Sequence, residues 1–291
     1  MKEIVVISGK GGTGKTSLTA AFANLAGENI IVADCDVDAA DMHLLLEPDY
    51  AHKNEFRSGE KAVINPEICT GCGVCVEICR FDAIVPDGSV YQVDKLACEG
   101  CGYCQRVCKY EAIELGEPLS GHWYKSSIKT NTKMVHAHLS IGADNSGKLV
   151  AKVKSEAKSL AMELNKEFVL IDGSPGIGCP VVSSLSGASC VVLVTEPTVS
   201  GIHDLLRVYQ LVKTFSLPAV CIINKSDLNA EVSISIKRFL QKNEIPLLAE
   251  IEYNNIFSRA ITAGKTIVEM ENTKISNQIS QIWELIKLAT N

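Results

Sequence analysis

The run Gly9-Lys-Gly-Gly-Thr-Gly-Lys-Thr16 lies between the apolar segment Ile4–Ser8 and the helix-forming segment Ser17–Ala26, and it constrains this chain more than any other feature. Its glycines let the backbone curl until successive N–H groups point inward at an anion, and the helix that follows adds the positive end of its dipole. G-x4-G-K-T between a strand and a helix is a phosphate-binding loop. The candidate nucleotide-binding residues are therefore Gly9, Lys10, Gly11, Gly12, Thr13, Gly14, Lys15, Thr16 and Ser17. Lys15 is placed to reach the β- and γ-phosphates, and the Thr16 hydroxyl to ligate Mg²⁺.

A strand, loop and helix of this kind open a doubly wound sheet. Ile30–Ala33 reads as the next buried strand and ends at Asp34-Cys-Asp36. After residue 130 the same grammar returns. Met134–Ile141, Phe168–Ile171, Cys190–Val194, Ala219–Ile223 and Pro246–Ile251 read as strands. Lys148–Asn165, Ile202–Phe215, Glu231–Lys242 and Lys274–Ala289 read as helices. Ile275, Ile279, Ile282, Trp283 and Ile286 give the last helix an apolar stripe with only a thin basic face, which predicts packing on the sheet rather than on a membrane.

Between these halves the apolar periodicity gives way to cysteine and glycine. Eight of the twelve cysteines fall in two matched runs, Cys69, Cys72, Cys75, Cys79 and Cys98, Cys101, Cys104, Cys108. Each run is followed by aromatic-x-Ala-Ile, as Phe81-Asp-Ala-Ile84 and Tyr110-Glu-Ala-Ile113. In a chain of 291 residues such clustering predicts metal in a reducing, cytoplasmic compartment rather than a disulfide scaffold. The boundaries expected are residues 1–59 and 116–291 for the sheet domain and 60–115 for the insert. The formal charge of −6, without a basic arm, speaks against nucleic acid as a partner.

The glycine-rich run, with Lys10 as its extra lysine, resembles the deviant Walker A motif of the MinD/ParA superfamily, which includes Mrp-type cluster carriers and the nitrogenase iron protein. The resemblance implies that Lys10 acts across an ATP-dependent homodimer. It implies that Asp36 orients the attacking water, and that Asp34, Asp36 and Asp172 join Thr16 around Mg²⁺. Lys10, Lys15, Asp36 and Asp172 are the catalytic set it suggests. Thr195-Glu-Pro-Thr-Val-Ser200, Asp204 and Arg207 fit the same pattern, as does Asn224-Lys225-Ser-Asp227 as the base-binding segment. Asn-Lys-x-Asp also suits guanine, so GTP stands as the alternative to ATP/ADP.

The spacing C-x2-C-x2-C-x3-C, present twice, is that of bacterial two-cluster ferredoxins, in which the fourth cysteine ligates the other cluster. That resemblance implies one [4Fe–4S] cluster on Cys69, Cys72, Cys75 and Cys108, and a second on Cys98, Cys101, Cys104 and Cys79; zinc is the alternative. Arg80 and Lys109 replace the proline that commonly follows the fourth cysteine. The fold class expected is α/β, a doubly wound, mostly parallel MinD-like P-loop domain with an inserted small α+β ferredoxin-like domain.

Cys190 and Cys221 read as core, and Cys35 as a small residue at a packed turn. Cys179 has the offset at which the nitrogenase iron protein places a bridging ligand, which raises an interface metal as a hypothesis. His136 and His138 read as packed or surface residues. Together these features predict an ATPase whose dimer gates electron transfer through two clusters to a partner metalloprotein. The alternatives are an ATP-dependent cluster carrier or scaffold with a cluster-accepting partner, and a redox-sensing regulatory switch. None of these readings involves nucleic acid or stable membrane association.

Overall fold

The computed structural model describes residues 1–143, 146–271 and 274–290. Along the chain the elements are β1 (Lys2–Ser8), α1 (Lys15–Ala26), β2 (Ile30–Asp34), α2 (His43–Leu46), β3 (His52–Arg57), β4 (Lys61–Ile64), α3 (Val74–Glu77), β5 (Ile84–Asp87) and β6 (Val90–Val93). There follow α4 (Tyr103–Val107), β7 (Ile113–Gly116), β8 (Leu119–Ser127), β9 (Lys133–Leu139), α5 (Ser146–Glu163), β10 (Phe168–Asp172), α6 (Cys179–Leu185) and β11 (Cys190–Thr195). The last are α7 (Val199–Thr214), β12 (Ala219–Asn224), α8 (Ala230–Lys242), β13 (Leu247–Ile251), α9 (Ile256–Thr262) and α10 (Lys274–Ala289). The chain divides into two compact units, one of Met1–Asn54, Trp123–His138 and Ser146–Asn291, the other of Glu55–His122 and Leu139–Asn145.

In the first unit the strands follow the order β13-β12-β11-β1-β10-β2-β9, and each adjacent pair is parallel. Parallel strands covered on both faces bury every side chain, so they read as unbroken apolar runs. IVVI in β1, FVLI in β10 and CVVLV in β11 are buried throughout. The order reverses at β1, with β10 on one side and β11 on the other, and the crevice at such a switch point is where ligands bind. α7 and α8 start on side-chain caps: Thr198 Oγ1 accepts from Gly201 N–H at 3.0 Å, and Asn229 Oδ1 from Val232 N–H at 3.0 Å.

β8 and β3 continue the sheet beyond β9, and the sequence pattern does not announce them. HKNEFR in β3 has no buried side chain, so it carries no apolar run to be seen. β9 ends at Leu139 rather than Ile141, ahead of the turn at Ile141–Gly142, and α5 begins two residues before the Lys148 expected.

The second unit is built on its repeat. β4 pairs antiparallel with β7, and β5 with β6. Asn65 N–H donates to Ala112 O at 2.8 Å, and the equivalent Asp94 N–H to Ala83 O at 2.7 Å, so each repeat is tied to the alanine of the other. The core is small: Ala62, Ala83, Ile84 and Ile113 with Cys75, Cys98 and Cys104. Gly100 has φ +65°, and a Cβ there would lie 2.0 Å from Glu60 O, so only glycine fits.

The apolar stripe of α10 is buried on the first unit. Ile279, Ile282, Trp283 and Ile286 are 3% exposed or less, with Trp283 stacked on Phe22 at 5.8 Å and edge-on to Phe168 at 6.2 Å. Among the described residues no helix is long and apolar enough to cross a membrane. Trp283→Ala is expected to cost about 3–5 kcal/mol, read as a lower urea midpoint of unfolding. A cost below about 1 kcal/mol would mean that this helix does not close the core.

Candidate functional site

The loop after β1 turns into α1 through Gly14, whose φ of +89° no side chain adopts freely. A Cβ there would also meet Asn224 Nδ2 at 2.4 Å. This turn delivers Lys15 and Thr16 to the carboxyl edge of the sheet. Asp172 and Asp34 stand there side by side, as register partners at the ends of β10 and β2.

Asp172 is fully buried and saturated with donors. Lys15 Nζ lies 2.8 Å from Oδ1, Thr16 Oγ1 donates to Oδ2 at 2.7 Å, and Thr19 Oγ1 shares its one proton between Oδ1 at 3.0 Å and Lys15 O at 2.9 Å. Lys15 Nζ also stands 3.6 Å from Asp36 Oδ2. Burial opposes the charge on Lys15, but Asp172, Asp36 and Asp34 outweigh it and hold its pKa above the ordinary value. Desolvation and the neighbouring Asp172 push Asp34 well up; one of its oxygens accepts from Asp36 N–H at 3.1 Å, and the other has no partner. Asp36 is pushed up to about 6, by burial against the pull of Lys15. Asp34 thus keeps one buried carboxyl oxygen without a donor next to Asp172, a polar group that a ligand of the site could satisfy.

A cavity of about 350 Å³ opens over these groups, lined by Gly11–Ser17, Asp36 and Pro175 and walled by Leu44, Leu45 and Ile261. A second, of about 210 Å³, shares Gly12, Gly14, Ser17 and Ile261 and runs on to Asn224, Lys225, Tyr253, Asn254 and Phe257. Of the predicted residues, Gly11–Ser17 and Asp36 line the first cavity and Asn224 and Lys225 the second, while Gly9, Lys10 and Asp227 line neither. Asn224 spends its amide on the loop itself, donating to Thr13 O at 2.8 Å and accepting from Lys225 N–H at 3.0 Å. Asp227 accepts from Tyr253 N–H at 2.6 Å and does not line either cavity. Lys10 turns away from the first cavity to Glu196, 2.7 Å away. Gly9 packs so closely on Asp204 that a Cβ would meet its backbone at 2.5 Å.

The sequence reading does not single out Thr19, Tyr253 or Phe257, and it includes Glu196 only within the run Thr195–Ser200. Thr19 lies one helical turn beyond Lys15, a spacing that places both on one face of α1, and this was a legible signal. Tyr253 and Phe257 follow the last strand and reach the site only through the sheet order.

Cys35 is buried between the two aspartates, and burial pushes its thiol far up. Cys190 and Cys221 are buried in β11 and β12. His136 is buried, 2.9 Å from Ser126 Oγ and stacked on Tyr124; His138 is exposed. Cys179 is exposed at the start of α6, against Gly147.

In the second unit the eight repeat cysteines line two cavities. One is walled by Cys69, Cys72, Cys75 and Cys108, the other by Cys79, Cys98, Cys101 and Cys104. Each set takes three cysteines from one repeat and the fourth from the other. Gly100 N–H points at Cys98 Sγ and Ala112 N–H at Cys108 Sγ, both at 3.4 Å. Among the described residues no three His, Cys, Asp or Glu side chains converge on the position of a single metal ion. Arg80 and Lys109 are exposed, so water and salt screen any pull they exert on the thiolates.

A family model described as the CobQ/CobB/MinD/ParA nucleotide binding domain matches residues 4–267. The chain belongs to this family. An uncharacterized protein of Methanocaldococcus jannaschii is 32% identical over 287 residues, covering 98% of this chain and 96% of that protein. The septum site-determining protein MinD of Pyrococcus horikoshii, solved with Mg-ADP, superposes with a TM-score of 0.60 at 21% identity, covering 99% of this chain and 97% of its own. The cell division ATPase MinD of Pyrococcus furiosus does so with 0.58 at 19%, covering 99% and 98%. The α/β fold with a mostly parallel central sheet is that of MinD.

Thr19→Val leaves the buried Asp172 short of a donor. It is expected to cost about 1–3 kcal/mol in chemical denaturation, without change in the far-ultraviolet circular dichroism. No measurable cost would mean that Thr19 is not part of the Asp172 network.

Proposed function

We propose that this chain binds and hydrolyses ATP and carries two [4Fe–4S] clusters, and that its nucleotide-dependent homodimer gates electron transfer to a partner metalloprotein. The observation that carries this reading is the pair of four-cysteine cavities in a chain of the MinD/ParA nucleotide-binding family.

On the nucleotide side, the loop N–H groups of Gly11–Thr16 and the ammonium of Lys15 would hold the phosphates. Thr16, with Asp172 and Asp34 behind it, would hold Mg²⁺. Asp36, which lines the same cavity, would orient the attacking water. Asn224 and Lys225, with Tyr253 and Phe257, would border the base.

On the cysteine side the residues fit the clusters. Thiolates are the donors iron–sulfur clusters take, four stand around each cavity, and amide N–H groups aimed at sulfur stabilise the anionic form. Each cluster, when bound, supplies one-electron storage. Cys75 and Cys104 are buried in the unit's own core, so the same side chains would serve both as ligands and as packing, which we take to favour resident clusters over cargo handed to an acceptor.

The whole formal charge of −6 falls on this unit, with twelve acidic residues against six basic, while the rest of the chain balances. An acidic redox unit selects a partner with a basic face and gives association rates that fall with salt. In sequence the first segment of the unit comes after β2, which ends at Asp34, and its second segment comes directly after β9, whose His136 is the parallel register partner of Asp34. Two of its chain connections therefore follow strands that run to or beside the nucleotide aspartates, a covalent route by which nucleotide state can bias it.

Anaerobically reconstituted protein is expected to hold about eight irons and about eight sulfides per chain. Cys79→Ser should disturb the cluster held by Cys98, Cys101 and Cys104 rather than that of its own repeat. Lys15→Ala should lower ATP hydrolysis at least about 100-fold and leave the iron content unchanged. One zinc per four cysteines, or a Cys79→Ser lesion confined to its own repeat, would overturn the cluster assignment.

A further inference from the structure

The two lysines of the phosphate loop face different ways. Lys15 enters the cavity over Asp172. Lys10 Nζ lies outside it, 2.7 Å from Glu196 Oε1, 3.0 Å from Thr198 Oγ1 and 2.9 Å from Ser200 Oγ. The second oxygen of Glu196 is taken by Lys225 Nζ at 2.7 Å, which also donates to Gly12 O at 2.8 Å. One carboxylate thus ties the phosphate loop to the segment that borders the second cavity.

Glu196 has little room to follow its partners. It is 7% exposed, and Gly201 packs so closely that a Cβ there would stand 2.2 Å from Glu196 O. The lysines are freer, with side chains 26% and 28% exposed. Burial alone would raise the pKa of Glu196; the two ammonium groups outweigh it and hold the carboxyl below its ordinary range. A lysine at 2.7 Å from a carboxylate cannot at the same time project from the surface toward a second molecule.

We propose that Glu196 is a latch that holds Lys10 on its own chain, so that dimerisation over ATP requires Lys10 to exchange this carboxylate for a phosphate of the partner chain's nucleotide. The inference rests on the homodimer reading above and adds the regulation of that step. Exchange trades one anionic partner for another, so the charge on the competing phosphate decides it. The γ-phosphate of ATP adds negative charge that ADP lacks, and the latch therefore sharpens the preference of the dimer for ATP. Lys225, on the other carboxylate oxygen, keeps Glu196 in place while Lys10 leaves. Its removal should free no additional reach for Lys10.

The test is the monomer–dimer equilibrium of the full chain by sedimentation, with MgATP and with MgADP, for wild type, Glu196→Gln, Lys225→Gln, Lys10→Ala and the double variant Lys10→Ala/Glu196→Gln. Nucleotide affinity is measured on the same samples. Glu196→Gln is expected to tighten the ATP-bound dimer about tenfold or more and to make an ADP-bound dimer detectable. The double variant should lose that gain, and Lys225→Gln should not reproduce it.

If wild type dimerises with ATP and Glu196→Gln is no tighter, the latch is wrong and the dimer reading stands. The latch is equally wrong if Glu196→Gln loses nucleotide affinity, because Glu196 then merely shapes the loop. If wild type and Glu196→Gln both stay monomeric with ATP bound, the dimer reading falls and the latch with it.

Discussion

The nucleotide side of this protein hangs on one buried carboxylate. Asp172 ends a strand beside β1, has no access to water, and is held by a lysine and two threonines from a single turn of α1. A charge so placed costs several kcal/mol unless it is paired. The phosphate loop must therefore close in the one way that brings Lys15, Thr16 and Thr19 to it. That closure sets the path of Gly9–Gly14, packs Gly14 on Asn224, and brings the ends of β2, β10 and β12 around one crevice. The sheet order supplies the geometry, and the electrostatics of Asp172 select the loop conformation within it.

The second unit is constrained in a different way. Its apolar core is small and includes three of its own ligand candidates, Cys75, Cys98 and Cys104. A unit of this size buries a smaller share of its surface than a large domain does. Because each cavity borrows its fourth cysteine from the other repeat, and each repeat hydrogen-bonds the alanine of the other, neither half can be complete alone.

Much of this was legible in the residues. The phosphate loop announces itself through glycines and its strand–helix setting, and the parallel strands through unbroken apolar runs. Strands β3 and β8 were missed because half-exposed polar strands carry no such run. The segments Glu55–Gly59, Glu117–His122 and Leu139–Asn145, which cluster with the cysteine-rich unit, contain no cysteine to mark them. Tyr253 and Phe257 are neighbours of the phosphate loop only through sheet order, which no local pattern encodes. Glu196 belonged to a recognised run, but its partners lie 186 residues upstream and 29 downstream, and a pair of that kind has no period.

If the proposed function holds, nucleotide state is felt at the cysteine-rich unit, and an anaerobic redox titration of the reconstituted protein, with and without MgATP and with Lys10→Ala as control, reads that coupling. ATP is then expected to move at least one midpoint potential by about 60 mV or more, equivalent to ~1.4 kcal/mol per electron, and Lys10→Ala is expected not to show the shift. Potentials that coincide with and without bound ATP would contradict it.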